Sequence, residues 1–145
     1  MFAVSAWLSA AVCASAHQTD KELLARGEYL VERVAMCGDC HTPRSSGGEP
    51  DQARPLQGAT LRFGPSDRAG FAQCAPAIAG MHFWTKAQAV RFLETGLMPS
   101  GTYAKPPMPR YRLSRDDADA VVAYLRSLRP ASSEPCAAPA NGAAE

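Results

Sequence analysis

Apolar residues recur at helical spacing in three stretches of the chain, and each stretch opens on a side chain able to cap a helix. Residues 20–36 carry Leu23, Tyr29, Leu30, Val34 and Ala35 on one face. Thr19-Asp-Lys-Glu22 precedes them as a capping box, in which the Thr19 hydroxyl accepts from the N3 amide and Glu22 reaches back. Gly27 interrupts that face. A glycine inside a helix costs about 1 kcal/mol relative to alanine, which is tolerable where a second helix crosses closely. The second stretch, residues 85–94, opens on Thr85-Lys-Ala-Gln88, turns Ala89, Phe92 and Leu93 inward and stops at Gly96. The third follows Ser114-Arg-Asp-Asp117 and repeats Ala118, Val121, Val122, Leu125 and Leu128. Tyr124 lies beside that stripe, and Pro130 ends it.

The segments between these helices are rich in turn formers. Residues 37–84 hold many Gly, Pro, Ser and Arg, and Pro99, Pro106, Pro107 and Pro109 crowd the approach to the third helix. Long connections inside a small domain usually carry function or wrap something. Strand patterning is confined to residues 56–63. Residues 131–145 are mostly Ala, Pro and Ser and read as a flexible tail.

Composition sharpens this picture. A chain of 145 residues is one domain's worth, and with aromatics at only 8% it has trouble burying enough apolar area by itself. Something other than side chains should help fill the core. A net charge of +1 excludes the basic excess of a nucleic-acid binder. No apolar run approaches the roughly 20 residues that span a bilayer. Residues 1–16 carry no charge and end in Ala14-Ser15-Ala16, a signal-peptidase pattern, although the usual leading Lys or Arg is missing. The expectation is an exported protein: a leader over 1–16 that includes Cys13, a domain over 17–130 starting near His17, and a tail over 131–145.

The chemistry lies in Cys37-Gly-Asp-Cys40-His41, a C-x-x-C-H haem-attachment sequence. Its two thiols match the two vinyl groups of haem, and the next residue, His41, lies where it can ligate the iron. A thioredoxin-type pair would follow a strand and lead into a helix, and a zinc site would need a second ligand pair at similar spacing; neither is present. By residue frequencies the motif arises by chance about 0.003 times per chain of this composition.

A second axial ligand is expected among the methionines. Met36 is too close to His41 in sequence to reach the far face. Met108 sits in Pro106-Pro-Met-Pro109, a stiffened loop ahead of the third helix. Its soft, neutral thioether favours ferrous iron. Met98 in Leu-Met-Pro-Ser is the rival, Met81 reads as core packing, and His17 and His82 are nitrogen alternatives of less weight.

With these features the sequence resembles the class I, monohaem cytochrome c family, of the bacterial periplasmic type. The resemblance covers residues 22–128 and rests on the helix running into Cys37-Gly-Asp-Cys40-His41, on the proline-flanked Met108, and on Leu113-Ser-x-x-Asp117 with Val122-x-Tyr124-Leu125. It implies an all-α fold of three main helices and long loops wrapped around one covalently bound haem. The first and last helices would cross beside the haem, accounting for Gly27 and for Tyr29 opposite Tyr124. His41 and Met108 would be the axial ligands. A loop proline carbonyl would accept from the proximal histidine; Ala75-Pro76-Ala-Ile78 resembles that segment, with Pro43 and Pro65 as alternatives. Trp84 would donate its indole N–H to a haem propionate, or else simply pack at a helix start.

Setting aside the leader and the haem pair leaves Cys74 and Cys136, an even remainder in an oxidising compartment and an expected disulfide. Lys105, Arg110 and Arg112 flank Met108 as a basic rim for an acidic partner, or as ordinary solvated charge. The expected function is one-electron transfer between periplasmic redox partners, from a dehydrogenase to an oxidase or other acceptor, and not catalysis. The alternatives are a haem c subunit of a larger dehydrogenase or oxidase complex, and a ligand-binding haem sensor or enzyme with an open distal site. Nothing in the sequence names the partners or the pathway.

Overall fold

A computed structural model describes residues 19–61, 70–130 and 136. The leader expected at 1–16, His17, Phe63, Pro65 and the tail apart from Cys136 lie outside the described residues. In chain order the elements are α1 (Asp20–Tyr29), a π-helical turn (Leu30–Val34), α2 (Gly38–His41), β1 (Ala59–Thr60), β2 (Cys74–Ala75), α3 (Lys86–Thr95) and α4 (Arg115–Ser127).

Local chemistry sets the helix ends. Thr19 with Glu22, and Thr85 with Gln88, form reciprocal capping boxes, and the Ser114 hydroxyl accepts from the Asp117 amide. Gly96 closes α3 at φ 76°, a left-handed position that favours glycine.

The first helix departs from the expected single run over 20–36. At Leu30 it widens into i→i+5 bonding, with the Ala35 amide on the Leu30 carbonyl at 2.8 Å. The wide turn shifts the register of the side chains at its end, Val34 among them. Leu30 and Val31 are buried, whereas Tyr29 and Val34, expected on the inner face, are exposed. Met36 ends the run at φ 48°.

Besides the helices, the described residues form one short two-stranded ladder. Ala59–Thr60 pairs antiparallel with Cys74–Ala75, so a short ladder joins the two sides of the long connection between α2 and α3. Of the strand expected over 56–63, the described residues 56–61 form only Ala59–Thr60, because Leu56 takes a left-handed φ of 59° and Gly58 turns at 81° just before it.

Helix α1 crosses α4 closely. A β-carbon at Gly27 would strike the Ala120 carbonyl and come within 2.6 Å of the Tyr124 Cβ. The glycine's helix penalty is therefore what permits the crossing. Arg26 pairs with Asp117 across it at 2.8 Å. The core gathers Leu30 and Val31, Val90 and Leu93 from α3, Val121, Val122 and Leu125 from α4, and Leu56, Ile78 and Trp84 from the loops. Half-buried Cys37, Met98, Met108 and Tyr111 pack against it.

Candidate functional site

The turn that carries the cysteines is itself helical. The Cys37 carbonyl accepts from the His41 amide at 2.9 Å, and the Gly38 carbonyl from the Thr42 amide at 3.0 Å. One helical turn thus sets Cys37, Cys40 and His41. Neither cysteine is in a disulfide. Burial, then the Glu32 and Cys40 charges, push the Cys37 thiol up to about 11. The Cys40 thiol is raised too, chiefly by burial and Asp39, against the opposing effect of Arg44. Both are neutral thiols near pH 7 rather than thiolates.

His41 is buried, and its Nδ1 lies 2.7 Å from the Pro76 carbonyl. A carbonyl only accepts, so Nδ1 carries the hydrogen and Nε2 keeps the lone pair. Burial lowers the imidazole's affinity for a second proton, with the Pro76 bond acting the other way. The result is a neutral histidine in one tautomer, the form that ligates a metal. Of the other two prolines considered, Pro43 directs its carbonyl to the Asp51 amide, and Pro65 lies outside the described residues.

Trp84 is buried edge-on between Phe83, at 5.3 Å between ring centroids, and Phe92, at 5.1 Å. Its carbonyl accepts from Arg126 at 2.5 Å. Its Nε1–H is buried with no acceptor among the described residues. Such a donor costs about 1–3 kcal/mol, so a group supplied from outside the chain fits there. A carboxylate of haem is an acceptor of the right kind.

Met98 and Met108 are both half-buried against the core, and Met81 is buried within it. His82 is exposed. In the rim, Arg110 stacks over Tyr103 at 3.7 Å, Arg112 donates to the Thr95 carbonyl at 2.7 Å, and Lys105 is exposed. Cys74 and Cys136 are joined through their sulfurs, immediately before Ala75 and Pro76.

The sequence reading missed the supports around this histidine. Thr42, Leu56 and Gly58 hold it through backbone and hydroxyl bonds that span 14 residues or more. Gly58 beside a short strand was the one visible signal of a turn there.

Helices packed around a neutral, tautomer-fixed histidine in a C-x-x-C-H turn define a small domain whose donor set suits haem. The chain belongs to the cytochrome c family, whose profile matches residues 24–129. It is 38% identical over 114 residues to the fructose dehydrogenase cytochrome subunit of Gluconobacter japonicus, covering 75% of this chain and 22% of that protein. It is 32% identical over 108 residues to a diheme cytochrome c-type protein of Cereibacter sphaeroides, covering 71% of this chain and 34% of that one. The cytochrome c subunit of a quinone alcohol dehydrogenase from Gluconacetobacter polyoxogenes is 32% identical over 126 residues, 77% of this chain and 25% of the subunit. The chain therefore spans between 22% and 34% of the length of these relatives. No helix among the described residues is long and apolar enough to cross a membrane.

Proposed function

We propose that the chain holds one haem c, bound covalently through Cys37 and Cys40, and passes single electrons between redox protein partners in the periplasm. The observation that supports this most strongly is the bond from His41 Nδ1–H to the Pro76 carbonyl within the C-x-x-C-H turn. It leaves Nε2 as the only nitrogen of that ring with a free lone pair. The bound iron supplies a one-electron change of oxidation state. The protein's part is to fix the ligands so that neither state needs a rearrangement. His41 is the proximal ligand in this reading, Pro76 orients it, and Met108 is the distal ligand with Met98 as alternative. Trp84 donates its N–H to a propionate. The Cys74–Cys136 bridge belongs to an exported protein whose leader is residues 1–16.

A second reading is a haem c subunit or domain of a larger dehydrogenase complex. It is favoured by the names of the Gluconobacter and Gluconacetobacter relatives, in each of which a stretch of this size is a minor part. In that case the donor is a dehydrogenase subunit held in place, and co-purification with a dehydrogenase separates this reading from a diffusible carrier.

Absorption spectra of the purified protein, oxidised and reduced, test the site. Low-spin haem c spectra are expected, with the weak far-red band of a thioether on ferric iron. Met108→Ala should abolish that band and let reduced protein bind carbon monoxide, while Met98→Ala should leave both unchanged. A far-red band that survives Met108→Ala would overturn the distal assignment. Carbon monoxide binding by the unaltered protein would favour the open-site reading instead.

A further inference from the structure

Thr42 follows His41 directly and is 5% exposed. Its hydroxyl oxygen accepts from the Leu56 amide at 3.0 Å. The Leu56 carbonyl in turn accepts from the amides of Ile78 at 2.9 Å and Ala79 at 3.1 Å. Two residues before Ile78 stands Pro76, whose carbonyl takes the His41 Nδ1–H at 2.7 Å. These bonds close a ring that leaves His41 through its side chain and returns to it through Thr42. The Gly58 amide on the His41 carbonyl, at 2.7 Å, adds a second tie between the same segments.

Leu56 is the strained link of that ring. It is 1% exposed and sits at φ 59°, a conformation that side chains with a β-carbon rarely adopt. Such a backbone persists only where its surroundings hold it. Its amide and its carbonyl are both bonded within the ring, and the Thr42 hydroxyl is the only side chain among those bonds besides His41 itself.

We propose that Thr42 is a positioning residue: through Leu56, its hydroxyl fixes the Pro76 carbonyl against His41 Nδ1 and so sets how strongly the imidazole donates to iron. The proposal deepens the haem reading and rests on His41 as the iron ligand. A firm Nδ1–H···O bond makes Nε2 a stronger donor and favours ferric iron. A loosened ring lets that bond lengthen, weakens the donor and favours ferrous iron.

Thr42→Val keeps the shape and removes the acceptor. In the holoprotein its ferric-to-ferrous balance at a fixed applied potential should move towards ferrous on the order of tenfold, a rise in midpoint of about 59 mV for one electron. Exchange of the His41 Nδ1 proton with solvent, followed by NMR, should quicken. Thr42→Ser should restore both. Where Thr42→Val yields no holoprotein, Thr42→Ala against Thr42→Ser makes the same comparison. An unchanged midpoint and exchange rate in the variant lacking the hydroxyl overturn the proposal. So does a loss of stability without either shift, which is the mark of packing alone. If the unaltered protein lacks a low-spin haem spectrum, the haem reading fails first, and that outcome is visible before any variant is made.

Discussion

Trp84 concentrates a cost in one atom. Its ring is well packed against Phe83 and Phe92, yet its Nε1–H is buried without an acceptor among the described residues. Phenylalanine supplies most of that packing without the polar atom. If Nε1 stays unpaired in the working protein, Trp84→Phe should be neutral or stabilising. If it donates to a propionate, the substitution removes a hydrogen bond to a charged group, worth about 1.5–3 kcal/mol. The second outcome is expected in the holoprotein, measured by denaturant unfolding followed at the haem band. Equal or greater stability of Trp84→Phe would remove Trp84 from the site.

Between elements, the α1–α4 crossing joins a steric feature to an electrostatic one. Gly27 allows the approach, and Arg26 with Asp117 ties it at 2.8 Å. The Arg26 bond, then the pair's charge attraction and the Ser114 hydroxyl, hold the Asp117 carboxyl below its ordinary range. A carboxyl depressed in the folded state adds stability above its unfolded value of about 3.9, and that stability is lost as pH falls through the folded value. Asp117→Asn should therefore melt below the parent at pH 7. The gap should close as pH drops below about 4, where the parent's own carboxyl protonates. A gap of equal size at pH 7 and pH 3 would show that the pair does not link the helices electrostatically.

What the sequence disclosed at this scale was local. The capping boxes of Thr19 and Thr85, the glycine stop at 96 and the spacing of Cys37, Cys40 and His41 depend on residues within a few positions of one another. The π-helical turn was not legible, because Leu30 to Val34 are ordinary helix formers and tertiary packing selects the wider turn. The pairing of Ala59–Thr60 with Cys74–Ala75, and the bond from Thr42 to Leu56, join positions whose partners no local pattern specifies. The site was therefore readable in its ligand motif and hidden in its supports.

The whole molecule is small for the loops it carries. Only 8% of its residues are aromatic, and much of the described length is loop. A haem would add a large apolar body to such a core, and the Cys74–Cys136 bridge ties the segment before Pro76 to the end of the described chain. That bridge closes a sequence separation of 62 residues. In the chain-entropy account a loop of that size restricts the unfolded state by roughly 4 kcal/mol, and measured native bridges are typically worth 2–4. The bridge spans α3 and α4, whereas Cys37 and Cys40 fall outside that loop, so a haem held by them would add a constraint the bridge does not duplicate. Cys136→Ser should therefore lower the unfolding free energy of the holoprotein by about 2–4 kcal/mol. Its haem spectrum should stay in place, because Pro76 is also held by the bonds of Ile78 and Ala79 to Leu56. Denaturant unfolding of parent and variant, with and without reductant, measures this directly. Reductant should bring the parent down to the variant and leave the variant where it was. A parent indifferent to both the substitution and the reductant would mean that the bridge constrains nothing the folded chain does not already hold.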